Sequence, residues 1–167
     1  MTLMPTHRFL FGLIFLVGLV PANAFATGKE VFLSGIIADE VVARAVEAAN
    51  NLLPKGRLRD GSSLAPVTPK ERLRGVIPPE NAHHIVKSAA DSALTEHCGL
   101  DWRNLSFRPL MRRERRLGTW SDRQLAYIGI LHGYVQANYR ELLKAHQRCS
   151  EMHKQAIVEF FARKKQR

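Results

Sequence analysis

Cysteine, acidic residues towards the C-terminus, and long apolar runs are all scarce in this chain, and each scarcity excludes something. Cysteine occurs only as Cys98 and Cys149, which rules out a disulfide-dense scaffold and leaves one pairing open. Only five Asp and Glu follow Trp102, so the C-terminal portion has few carboxylates for paired acid–base work. The one extended apolar run, Phe9 to Val20, is too short for a bilayer core, which needs roughly 20 residues. Also missing are a Ser-His-Asp order, a nucleophile elbow, a glycine-rich phosphate loop and an H-E-x-x-H pair. Neither an alternating strand pattern nor an internal repeat is present. An all-α fold without an evident catalytic centre follows, and no cofactor is implied.

The apolar run has its own meaning. Arg8 precedes it, and Pro21-Ala22-Asn23-Ala24-Phe25-Ala26 follows. A basic start, an apolar stretch and overlapping small-x-small frames have the layout of a secretory signal peptide over residues 1–26, the alternative being an uncleaved anchor running on to Phe25. Cleavage near Ala24 or Ala26 is expected, giving a periplasmic or secreted product that starts at Phe25 or Thr27, with no transmembrane span. In an oxidising compartment Cys98 and Cys149 are expected to pair. Closing a loop of that length stabilises a fold by ~4 kcal/mol in the chain-entropy model.

Charge is distributed unevenly. The formal net charge is +10 and the pI is near 10.2. Residues 27–102 carry 9 Lys and Arg against 10 acids, whereas residues 103–167 carry 15 against five. The basic field therefore belongs to the C-terminal portion and attracts anions. For an exported protein the partners are anionic lipid, polysaccharide or acidic protein in the envelope rather than nucleic acid. Arg112, Arg113, Arg115 and Arg116 concentrate this charge, and guanidinium forks suit phosphate and carboxylate.

Helical periodicity places a helix over residues 38–53, ended by Pro54. Residues 54–79 are dense in Pro, Gly and Ser and read as a linker, with a short helix at Pro69–Arg74 capped by Thr68. Residues 27–53 are thus expected to be an appendage, so that residues 27–79 form an N-terminal helix and linker and residues 80–167 a core domain of three to five helices. The expected core helices run from Asn81 to Cys98, from Phe107 to Leu117 with Ser106 as cap, and from Ser121 towards Arg163. The last should break between Arg140 and Ser150, because forty helical residues would span ~60 Å. Gly129, Gly133 and Ala137 share one face, and the expected reason is close approach of another helix.

His146, Cys149 and His153 also share a helix face, and His97-Cys98 would complete a zinc-like ligand set. The oxidising compartment favours a disulfide over a metal there. His97, His132, His146 and His153 then become groups that titrate between pH 5 and 8.

The residues Cys98, Trp102, Ile130-Leu131-His132-Gly133-Tyr134 and Cys149 resemble the pattern of the HdeA and HdeB family of small helical acid-stress chaperones. The resemblance covers about residues 95–160. It implies a stapled helical fold, a periplasmic location and chaperone-like, non-enzymatic binding of protein clients in acid. The arginine run, the high pI and residues 27–80 depart from that family.

Overall fold

A computed structural model describes residues 37–165 apart from 59, 147 and 148. The expected signal peptide lies outside the described residues. Six α-helices are present among them: α1 (Asp39–Leu52), α2 (Pro69–Arg74), α3 (Pro79–His97), α4 (Arg108–Leu117), α5 (Asp122–His146) and α6 (Glu151–Lys165). The one β pairing there is an isolated bridge between Arg57 and Ser63. The all-α, disulfide-stapled expectation is met, with four α-helices after residue 78. None of the described helices is long and apolar enough to cross a membrane.

Local chemistry sets the helix ends. Thr68 accepts from the Glu71 backbone N–H while the Glu71 carboxylate accepts from that of Thr68, a complete capping box for α2. Ser121 and Gln124 repeat the arrangement at the start of α5. Gly118 closes α4 in the left-handed region, at φ 66°. The expected break in the long helical run falls between His146 and Glu151. Ser106 does not cap a helix. Residues Arg103–Phe107 form a π-helical turn leading into α4, with the Arg108 N–H bonded to the Arg103 carbonyl. Ser106 is buried in that turn.

The main core is built on the α3–α5 pair, the most extensive helix contact in the fold, with α1 laid across both. Val42, Ala45 and Ala49 of α1 are buried with Ile85, Val86 and Ala89 of α3 and Ile128, Leu131 and Val135 of α5. The expected boundary near residue 80 is therefore not observed. The Pro- and Gly-rich segment joins the same core through Leu53, Leu64, Val67, Val76 and Ile77. Polar anchors hold it there. Arg123 pairs with Glu71 and donates to the carbonyls of Ala65 and Pro66, and Gln124 donates to the Val76 carbonyl. Gly75 turns the chain at φ 84°, and a Cβ there would lie 2.4 Å from the Ile77 carbonyl oxygen. Breakers in this stretch shape a packed loop; they do not detach it.

A second, smaller cluster lies at the far end of α3. Leu94 and Cys98 pack there against Ile157 and Phe161 of α6. Cys98 and Cys149 form a disulfide with Cα atoms 5.2 Å apart, joining the end of α3 to the turn before α6.

Candidate anion-binding site

In α4, Leu110, Met111 and Glu114 turn inward. At 100° per residue, Pro109, Arg112, Arg113 and Arg116 then fall within about a third of the helix circumference. All four border a concavity of about 640 Å³ whose wall also includes Leu110. His84 and Ser88 of α3 form a second wall, Leu105 and Ser106 of the π-turn a third, and Phe161 and Lys164 of α6 a fourth. The site thus draws on residues separated by much of the sequence. Arg115 does not line the concavity. The π-turn widens the backbone where Leu105 and Ser106 enter the wall, a local irregularity that recurs at functional sites.

The four cations are not equivalent. Glu114 is 1% exposed and accepts from Arg113 Nε at 3.0 Å and from Trp120 Nε1 at 2.9 Å. Arg113 is thereby held by a buried carboxylate. Arg112 and Arg116 are exposed and have no acidic partner among the described residues. Lys164 extends its ammonium over the Phe160 ring at 5.5 Å. Desolvation lowers its pKa although the residue as a whole is exposed; Asp91 opposes the shift, while Arg113 and Lys87 reinforce it. His84 is held down to about 4, mainly by burial and then by Arg113 and Lys164. It is neutral at pH 7 and adds a polar wall without charge.

Behind the wall lies a buried polar chain. Ser92 donates to the Ser88 carbonyl at 3.0 Å, and its Oγ lies 2.8 Å from Ser106 Oγ and 3.0 Å from His132 Nε2. His132 is fully buried, with Phe107 4.8 Å and Trp102 6.3 Å away between ring centroids. Burial holds its pKa down to about 4, and Nδ1 has no hydrogen-bond partner. Nucleophilic use of a Ser–His pair needs an accessible hydroxyl and a group orienting the imidazole. Ser92 and His132 are each 0% exposed, and no carboxylate bonds Nδ1. The geometry is that of a packed polar core. Asp91, one turn along α3 from Ser88, is also buried. Desolvation raises its pKa to about 7 against the pull of Lys164 and Lys87, and its Oδ2 makes no hydrogen bond.

The remaining sequence candidates separate. Cys98 and Cys149 are joined as expected. Among the described residues no group of three or more His, Cys, Asp and Glu is placed to hold a metal. His97 is half-buried. His153 instead closes the N-terminus of α6, its Nδ1 accepting from Ser150 N–H at 3.4 Å, and His146 lies outside the described side chains. Gly129, Gly133 and Ala137 do not mark close helix packing. Gly133 and Ala137 are exposed, and a Cβ at either glycine would meet nothing within 4 Å. The opposite face of α5, carrying Ile128, Leu131 and Val135, makes the packing contacts.

His84, Ser88, Asp91 and Phe161 escaped sequence reasoning, and Lys164 was legible only as part of a basic tail. A His or Ser inside a long helix carries no local mark of which wall it faces. Comparison with known proteins adds no family: no family model, curated protein or solved structure matches the chain. Functional conclusions therefore rest on the site.

Proposed function

We propose that this chain is an exported, non-enzymatic binding protein that docks an anionic component of the cell envelope through the concavity between α3, α4 and α6. One observation carries the reading. Arg112, Arg113, Arg116 and Lys164 converge on a single concavity, and the nearest acids, Glu114 and Asp91, are buried behind it. Arg112 and Arg116 are left with unspent guanidinium forks, which match carboxylate and phosphate. Export is supported by the leader pattern of residues 8–26 and by the Cys98–Cys149 bond, which persists in oxidising compartments. Binding to vesicles containing an acidic phospholipid tests the reading. Retention should fall steeply with salt and drop at least tenfold in the Arg112→Ser/Arg116→Ser double variant. Salt-independent retention, or none at all, sinks it.

Chaperone-like action in acid is a second reading, favoured by buried imidazoles. His84 and His132 are neutral in the fold with pKa values near 4, and both protonate at about 6.5 once unfolded. Their contribution is therefore present above pH 6.5 and is lost as the pH falls to 4. Exposed Leu142, Met152 and Val158 already lie on α5 and α6, where loosening would enlarge an apolar surface. Gain of an apolar-dye signal between pH 6.5 and 4, together with suppression of client aggregation, tests this. A flat dye signal across that window rejects it.

A further inference from the structure

We infer that the concavity takes a single-headed acidic amphiphile: one carboxylate or phosphate head on Arg112 and Arg116, and one unbranched apolar tail inside. This rests on the anion-docking reading above and narrows it. A polyanion bound along a surface would need only a row of cations. Here the cations border a concavity whose lining also holds apolar side chains beside His84, Ser88 and Ser106. Leu105, Pro109, Leu110 and Phe161 supply the apolar part of the lining, with Leu105 and Pro109 partly exposed and Leu110 and Phe161 buried. Its volume, about 640 Å³, falls within the ~300–1,000 Å³ usual for small-molecule pockets. A fully hydrated phosphate or sugar chain would leave the apolar surface of Leu105 and Pro109 in water, whereas a hydrocarbon tail covers it.

The charge layout also favours one head. Arg113 is committed to Glu114, so the two guanidiniums without acidic partners sit four residues apart on one helix face. That is a spacing at which side chains are neighbours and can share a single two-oxygen anion. Lys164 enters from α6 on the other side and supplies a point charge without a second fork. Ser106, buried in the wall beside Leu105, is fixed there, its Oγ lying 2.8 Å from Ser92 Oγ and donating to the Ser88 carbonyl at 3.4 Å.

Calorimetric titration of the full-length mature protein with hexanoate, octanoate, decanoate, decyl phosphate, inorganic phosphate and dextran sulfate tests the inference. The expected result is one-to-one binding that tightens about fourfold per added methylene. Inorganic phosphate should bind far more weakly than decyl phosphate. Arg112→Ser/Arg116→Ser alters two exposed side chains without partners. It should weaken every amphiphile at least tenfold while leaving the melting temperature within a degree or two. Spin-labelled decanoate should broaden the methyl signals of Leu105 and Leu110 and spare those of Val42. Affinity independent of chain length, or dextran sulfate binding that decanoate does not displace, overturns the amphiphile while leaving anion docking intact. Failure of every anion to bind overturns both. A preference for decyl phosphate over decanoate identifies a lipid-like phosphate head, and the reverse preference a free fatty acid; either result supports the class.

Discussion

The α1–α3–α5 core and the α6 cluster are two regions of one fold held by different means. In the first, eighteen buried residues from helices and loop interlock, and the polar groups of Arg123 and Gln124 tie the loop to α5. In the second, only four buried residues, Leu94, Cys98, Ile157 and Phe161, pack together, and a covalent bond substitutes for area. Small apolar clusters rarely hold a helix by themselves. The concavity lies on the seam between the two regions, taking Leu110 from the first and Phe161 from the second.

Removing the staple should break the comparison most visibly. Cys98→Ser/Cys149→Ser is expected to cost ~4 kcal/mol of global stability. In native-state hydrogen exchange, α6 should lose its protection first while α3 and α5 retain theirs. Equal losses in all three helices would show that the regions are not separable. Core truncation sharpens the same point. Leu131→Ala, at a site 0% exposed, should lower global stability by ~3 kcal/mol. Ile157→Ala, at 1% exposed, should be read mainly as faster exchange in α6, with a smaller shift of the denaturant midpoint.

Asp91 belongs to α3 and is coupled electrostatically to Lys164 of α6. Its folded pKa, about 7, lies above the 3.8 of an exposed carboxyl. The native state therefore holds a proton that the unfolded chain releases, and Asp91 weakens the fold as the pH rises from 4 through 7. His84 and His132 act in the opposite sense over nearly the same interval, so Asp91 offsets part of the loss in acid that the two imidazoles cause. Asp91→Asn should stabilise the protein by on the order of 2 kcal/mol above pH 7. It should also make the loss between pH 6.5 and 4 steeper, as followed by urea unfolding at each pH. An unchanged profile would mean that Asp91 is solvated in solution. The smallest effect is expected on the outer face of α5. Gly129→Ala and Gly133→Ala should each stabilise by ~0.5–1 kcal/mol, since open space surrounds both and alanine favours a helix. Destabilisation would reveal a neighbour on that face.

Elements with a local physical cause were legible in the sequence. Thr68 and Ser121 marked helix starts because caps depend on few residues, and the break before Ser150 followed from length alone. The segment of residues 54–79 misled because Leu64, Val67, Val76 and Ile77 follow no helical or strand period. Their burial is decided by α1 and α5, which lie far away in sequence. The glycines of α5 misled for a related reason, since small size permits close approach without compelling it. Half of the candidate site was readable as an arginine run. The other half was not, because His84, Ser88 and Lys164 acquire a common direction only when three helices meet. Buried Ser92, Ser106 and His132 are ordinary residues in sequence, and their linkage exists only across the fold.

The staple has a topological consequence as well. Cys98 and Cys149 close a covalent ring that contains the whole of α4 and α5 and the exposed turn at Gly118 and Thr119. A protease that cuts this turn leaves one molecule in two chains, with α1 to α4 on one and α5 and α6 on the other. Non-reducing electrophoresis would show it at its original mass, and only a reductant would release the halves. A nick there need not end the protein's working life.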